Sequence, residues 1–166
     1  MEDQKQPPIA VGTQEGKTVS VAGNTYRILA TGKQTGNAFA TIDMMVPPGG
    51  GPGPHAHPDI QETFYVVDGE VEVKSEAGTY IAKKGSYIVI PKGGIVHAFK
   101  NKTDQMAHLL CTVVPAGLEE MFMELGQPVA VGEFLPPPPM YPESMKKLIA
   151  VLEKYGQKAF PPDYLD

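Results

Sequence analysis

The feature that most constrains this fold is a series of short β-rich segments. Turns rich in glycine and proline separate these segments about every ten residues. Between Thr18 and Val114 they include TYIA, SYIVI, IVHAFK and MAHLLCTVV. Short strands at such regular spacing are typical of an antiparallel sandwich or barrel. No helical segment is predicted between Thr18 and Val114, which excludes a fold of alternating parallel strands and helices.

The Asp68-Gly69 dipeptide stands between two β-rich runs, TFYVV and EVEV. Asp-Gly supplies the positive φ angles that a tight hairpin turn requires. We therefore expect a β-hairpin with its turn at these two residues. Apolar and charged residues alternate in the second run, so one face of that strand should be exposed to solvent.

The pattern changes after residue 115. Apolar residues at helical spacing predict a helix in AGLEEMFMELG, ended by Gly126, and a second in PESMKKLIAVLEKYG, with Pro142 in its first turn and Gly156 at its end. The intervening FLPPPPMYP is a stiff connector. The chain is accordingly divided into an N-terminal arm (1–17), a β-barrel (18–115) and a C-terminal helical extension (116–166).

Composition limits the function classes. A chain of 166 residues is about the size of one domain, and its formal charge of −5 argues against nucleic acid as a partner, because phosphate binding needs a basic surface. No apolar run is long enough to predict a membrane span. The one cysteine, Cys111, fits a reducing compartment, and the opening MEDQKQPPIA lacks the apolar region of a signal peptide, so a cytoplasmic protein is expected.

Two of the four histidines are separated by a single residue. His55 and His57 would point to the same face of an extended segment. Pro58-Asp59 interrupts that segment, and a turn there resets the alternation so that Glu62 can face the same way. His97 follows a Pro-Gly turn farther along the chain and could supply a fourth ligand.

A His-x-His pair alone is a weak indication of metal binding, since surface and core histidines are common. Three imidazoles and one carboxylate, however, form a nitrogen and oxygen donor set that suits one divalent transition metal ion. These ligands do not choose between Fe, Mn, Ni, Co and Zn. Four protein ligands leave two positions open on an octahedral ion for a small molecule.

Residues 49–69 read G-x5-H-x-H-x4-E-x6-G, which resembles the first signature motif of the cupin superfamily. Its second motif, G-x5-P-x-G-x2-H-x3-N, resembles a later set of residues with one extra residue before the histidine: Gly85, Pro91, Gly93, His97 and Asn101. The resemblance implies an all-β fold, a single antiparallel jelly-roll-like β-barrel, here with two C-terminal helices. It also implies the metal ligands His55, His57, Glu62 and His97.

Within that superfamily, residues 35–73 and 113–126 resemble small single-domain bacterial cupins grouped with quercetin 2,3-dioxygenase. This implies a dioxygenase-type oxidoreductase acting on a small aromatic or enol-containing molecule. Glu62 would be a ligand that also accepts the substrate proton. Phe64 and Phe99 lie two residues beyond Glu62 and His97, so each faces the same way and is predicted to line the substrate pocket, with filling of the core as the alternative.

Other classes of function stay open. The chain could bind a metal or a small molecule without turnover, whereas a sugar isomerase would need polar barrel walls that these strands offer sparingly. If Cys111 packs inward it acts as a small buried hydrophobe and His108 lies outside. A homodimer is expected, because sheet edges and the apolar stripe of the last helix need a partner surface.

Overall fold

The computed structural model describes residues 5–166, so the first four residues of the predicted N-terminal arm lie outside the described residues. Within residues 5–166 the chain forms two antiparallel β-sheets and three helices. The strands are β1 (Thr18–Val21), β2 (Asn24–Ala30), β3 (Ala40–Val46), β4 (His55–Ala56), β5 (Gln61–Asp68), β6 (Glu70–Ser75), β7 (Gly78–Lys83), β8 (Tyr87–Ile90), β9 (His97–Lys100), β10 (Ala107–Val114), β11 (Gln127–Pro128) and β12 (Lys158–Ala159). The helices are α1 (Gly32–Thr35), α2 (Leu118–Leu125) and α3 (Pro142–Lys154).

The two sheets pack as a jelly roll. One sheet has the strand order β11-β1-β2-β3-β10-β5-β8, and the other has the order β12-β4-β9-β6-β7. Hydrogen bonds do not close these described strands into one continuous barrel, but the all-β jelly-roll fold predicted from the sequence is confirmed. The division into arm, barrel and extension stays a prediction.

The core lies between the sheets because side chains alternate along the central strands. In β3 the residues Ala40, Ile42, Met44 and Val46 are buried while their neighbours are half-buried. β10 repeats this pattern with Ala107, Leu109, Cys111 and Val113. A period of two places each buried set on the same face of its strand, so the inner face is apolar where the two sheets meet.

The prediction of a hairpin at Asp68-Gly69 is wrong. β5 pairs with β8 and β10 in one sheet, whereas β6 pairs with β7 and β9 in the other. Gly69 has a φ of 77°, and a Cβ atom there would lie 2.6 Å from the backbone oxygen of Met106. The dipeptide therefore makes a corner at which the chain changes sheets, and glycine permits its close approach to the start of β10.

Both C-terminal helices are confirmed. In α2, Leu118 and Met121 are buried, and the Phe122 ring meets the ring of Tyr26 edge-on at 4.9 Å between centroids. α3 buries Leu152 but leaves Met145 exposed. None of the helices found in residues 5–166 is long and apolar enough to cross a membrane.

One helical turn, α1, was not predicted. Thr31 caps it, with its side-chain oxygen accepting from the Gln34 backbone N–H while the Gln34 side chain accepts from the Thr31 backbone N–H. This reciprocal cap stabilises a single turn between β2 and β3 without an apolar helical stripe, so hydrophobic periodicity gave no indication of it.

Candidate metal site

The four predicted ligands meet in one buried cluster. His55 lies on β4, His57 follows it directly, Glu62 lies on β5 and His97 begins β9. Their potential ligand atoms all lie within 4.8 Å of one another. β4 and β9 belong to the five-stranded sheet and β5 to the seven-stranded sheet, so the cluster sits between the two sheets.

A turn brings Glu62 to the same side as the histidine pair. Pro58 and Asp59 form this turn, and the Ile60 N–H donates to the backbone oxygen of His57 at 3.3 Å. From there the buried positions of β5 are Glu62, Phe64 and Val66. The reset of strand alternation predicted at Pro58-Asp59 is therefore present. On the other side, His55 stands directly opposite His97 in the β4–β9 pair.

Backbone carbonyl groups orient all three imidazole rings. The Nδ1 atoms of His55, His57 and His97 lie 2.8, 3.2 and 3.0 Å from the carbonyl oxygens of Gly53, Ile60 and Ile95. A carbonyl oxygen can only accept, so each Nδ1 carries the proton and donates. The Nε2 lone pair of each neutral ring is thereby left for a metal ion, which is the usual arrangement around metal-binding histidines.

Glu62 stands at the centre of the cluster's hydrogen bonds. Its Oε2 atom lies 2.9 Å from Nε2 of His57 and 3.4 Å from Nε2 of His97. Its Oε1 atom accepts from the thiol of Cys111 at 3.3 Å. Both oxygens of this buried carboxylate thus have partners, which offsets the cost of burying its charge.

Burial and neighbouring charges set the protonation of the cluster. Burial, followed by the neighbouring His97, lowers the pKa of His55 to about 4. Burial also lowers the pKa of His57, but the hydrogen bond and the charge of Glu62 outweigh it and raise the pKa above its usual value. Burial raises the pKa of Glu62, yet hydrogen bonds from His57 and His97 hold it well below its usual range.

Backbone contacts fix the loop and the turn that precede the ligands. The Gly49 N–H donates to the backbone oxygen of Asn101 at 2.7 Å, and the Asn101 N–H donates to Gly50 at 2.9 Å. The turn before His97, which is one residue longer than the family motif, places Gly93 and Gly94 at φ angles of 120° and 81°. Its Gly93 N–H donates to the Pro58 oxygen at 2.9 Å, so this turn packs on the loop of the histidine pair.

The cavity beside the cluster is small and mostly apolar. Its volume is about 40 Å³. Phe64 and Phe99, the predicted pocket residues, lie in its wall with ring centroids 5.1 Å apart. The other lining residues are Tyr26, Met44, Pro52, His55, Glu62, Leu118, Phe122 and Gln157.

Sequence reasoning missed several residues at this site. Cys111 is fully buried and faces inward as considered, but it also donates to Glu62, and burial raises the pKa of its thiol so that it stays protonated. Leu118, Phe122 and Gln157 reach the cavity from segments far along the chain, and no spacing rule signals that. His108 lies on the outer face, where it bonds to Asp43.

Comparison with known proteins finds one matching domain model and two distant enzyme relatives. The model of the cupin domain family matches residues 42–113. Quercetin 2,3-dioxygenase of Aspergillus japonicus is 27% identical over 75% of this chain and 37% of its own length. The enzyme of the same name from Bacillus subtilis is 22% identical over 78% of this chain and 38% of its own length.

The chain thus spans little more than a third of the length of these curated relatives. Among solved structures, an RmlC-like cupin from Shewanella frigidimarina superposes with a TM-score of 0.57 at 19% identity. That match covers 71% of this chain and 99% of the other. At this identity the likeness concerns the fold alone.

Proposed function

We propose that this chain is a metal-dependent, dioxygenase-type oxidoreductase that acts on a small aromatic or enol-containing molecule, because it matches the cupin domain model over residues 42–113 and resembles quercetin 2,3-dioxygenases. One observation carries the proposal. Three imidazole Nε2 atoms and a carboxylate converge in a buried cluster, with every Nδ1 atom already held by a carbonyl oxygen.

The donor set fits one divalent transition metal ion. His55, His57, His97 and Glu62 would hold it, and three neutral imidazoles with one carboxylate suit Fe, Mn, Ni, Co or Zn. Such an ion supplies open coordination positions and Lewis acidity that makes a hydroxyl group more acidic. The orienting carbonyl groups of Gly53, Ile60 and Ile95 would keep the rings in place.

Glu62 is proposed to accept the proton of a substrate hydroxyl. Hydrogen bonds from two imidazoles now hold its pKa down. An imidazole that gives its Nε2 lone pair to a metal ion no longer donates from that atom, so the Glu62 oxygen that accepts from His57 and His97 would become free for the ion or for a substrate proton. The Cys111 thiol would keep Oε1 oriented throughout, since it bonds only to that oxygen.

The apolar wall favours a ring or an enol over a sugar. Phe64, Phe99 and Met44 line the cavity together with Leu118 and Phe122. These side chains leave room for only a few water molecules near the metal site, which strengthens the electrostatic interactions made there. A sugar isomerase would need polar groups for several hydroxyls, and the wall has few.

Oxygen uptake tests the proposal. The protein is loaded separately with Fe(II), Mn(II), Ni(II) and Co(II), and oxygen consumption is followed with flavonols and other enediols. We expect metal-dependent uptake that is lost in His57→Ala. Uptake that is absent with every ion, while elemental analysis finds about one bound ion per chain, would contradict the oxygenase assignment.

A second candidate is a cupin that binds a metal or small molecule without turnover. The 40 Å³ cavity favours it, because that space admits only a very small ligand. The homodimer, the cytoplasmic location and the small-molecule partner remain predictions. Light scattering tests the homodimer.

A further inference from the structure

We propose that residues 157–166, called the strap below, are the wall of the metal cavity that determines which ligands reach the metal site. The strap includes β12, which pairs with β4, and its first residue, Gln157, lines the cavity. This inference rests on the proposed function, because it concerns the size of the molecule that can approach the metal.

The cavity is too small for a ring while the strap is in place. Its volume is about 40 Å³, enough for a few water molecules, since one water needs roughly 10–15 Å³ by this measure. Sites for larger organic ligands commonly measure about 300–1,000 Å³. An aromatic substrate therefore enters only if part of the wall moves.

Most of the wall belongs to strands that are paired on both sides. Tyr26, Met44 and Phe64 lie on β2, β3 and β5, each between two neighbours in the seven-stranded sheet. Displacing any of them would break backbone hydrogen bonds on two sides and open the apolar core.

Helix α2 is also firmly attached. Leu118 is buried, and the next residue, Glu119, is 1% exposed. The Glu119 carboxylate accepts from the backbone N–H groups of Gly32 and Gly117, both at 2.7 Å. Moving the helix would strip a buried carboxylate of these partners, which is costly.

A small number of hydrogen bonds attach the strap to the rest of the molecule. The Phe160 N–H donates to the Pro54 oxygen at 2.9 Å, and the Tyr164 hydroxyl donates to Glu76 at 2.9 Å. Its ion pair, Lys74 with Asp166 at 2.7 Å, is exposed and therefore weak. Among the described residues, none beyond Tyr155 belongs to the hydrophobic core or packs against it.

The strap nevertheless pairs with the strand that carries a metal ligand. Ala159 stands opposite His55, and Lys158 stands opposite Ala56. Farther on, Pro162 and Leu165 line a cleft of about 370 Å³ together with the 49–54 loop that leads into β4. Detaching the strap thus opens the cavity at the metal ligands while the core stays intact.

The test compares a ring-sized probe with a very small one. Co(II)-loaded protein is mixed with 4-nitrocatechol or with azide, and binding is followed by absorbance. If the strap is open in about a tenth of the molecules, a chain ending at Gly156 should bind 4-nitrocatechol about tenfold more tightly than the full chain. Azide affinity should be unchanged, because three atoms enter without opening.

Point variants in the full chain keep the test independent of the truncation. Phe160→Pro removes the N–H that bonds to Pro54 and should also tighten 4-nitrocatechol binding. Gln157→Ala should do the same by enlarging the cavity. Its matched control is Gln127→Ala, an exposed glutamine on β11 that is expected to leave binding of both probes unchanged.

Equal 4-nitrocatechol affinity in the full chain, the truncated chain and Phe160→Pro would overturn the proposal that the strap limits access to the metal site. Tighter 4-nitrocatechol binding without oxygen uptake would support the proposal about the strap and contradict the oxygenase function. Elemental analysis of every variant shows separately whether the metal is bound.

Discussion

Replacing Asn101 with alanine should destabilise the fold and leave the metal site intact. Asn101 is fully buried, and its Nδ2 atom donates to the oxygens of Val46 at 2.9 Å and Gln105 at 2.7 Å. Its Oδ1 atom accepts from the Thr103 N–H and hydroxyl at 3.0 and 2.7 Å. The side chain thus joins the end of β3 to the turn before β10.

The magnitude follows from these four bonds. Without the Asn101 Nδ2 donor, the buried Val46 oxygen costs roughly 1–3 kcal/mol of stability. The more exposed partners, Gln105 and Thr103, add about 0.5–1.5 kcal/mol, because water replaces the Asn101 amide only in part. A total of about 3 kcal/mol is expected for Asn101→Ala. At about 2–4 °C per kcal/mol in a chain of this size, the melting temperature should fall by roughly 6–12 °C.

Thermal unfolding by circular dichroism measures this shift, and elemental analysis measures the metal. Metal content should be unchanged, because the bonds between Asn101 and the Gly49-Gly50 segment come from its backbone and survive the substitution. Thr103→Val is the control, since it removes only a partly exposed hydroxyl, which donates to Asn101 and accepts from the Gln105 N–H, and should cost only about 1 kcal/mol. A melting temperature of Asn101→Ala equal to that of Thr103→Val would refute this reasoning.

Three further predictions concern the metal site. His57→Ala should abolish the rise in melting temperature that added metal gives, because a ligand stabilises only the state that binds it; a thermal shift with and without Zn(II) checks this. Metal affinity should weaken as the pH falls through the raised pKa of His57, because a proton then occupies the cluster. Titrations at two pH values measure this, and a pH-independent affinity would count against His57 as a ligand. Cys111→Val should weaken metal binding by removing the donor to Glu62 Oε1, whereas Cys111→Ser, which keeps a donor, should restore it; equal affinities would show that the thiol only fills space.

The cluster of four potential metal ligands could be predicted from the sequence because the features that bring most of them together are local. The His55–His57 spacing fixes one face, and the turn at Pro58-Asp59 carries the next ligand to the same side. Only His97 requires a contact between distant segments, and a second motif indicated it. The C-terminal helices were likewise predicted from apolar spacing within each segment.

Features that depend on tertiary contacts were not predicted. Asp68-Gly69 has the chemistry of a hairpin turn, but each flanking strand finds its partners elsewhere, and the local signal does not distinguish a hairpin from a corner between sheets. The approach of Gln157 to the cavity depends on the path of the chain after α3. The bond from Cys111 to Glu62 depends on how β10 and β5 align.

The position of the ligands between the sheets has a mechanical consequence. Glu62 comes from the seven-stranded sheet, whereas His55 and His97 come from the five-stranded sheet. An ion held by these residues would cross-link the two sheets. Release of the ion would leave the hydrogen bonds within each sheet unchanged and loosen the packing of one sheet on the other. The same ion would therefore stabilise the fold in addition to its proposed role in the reaction.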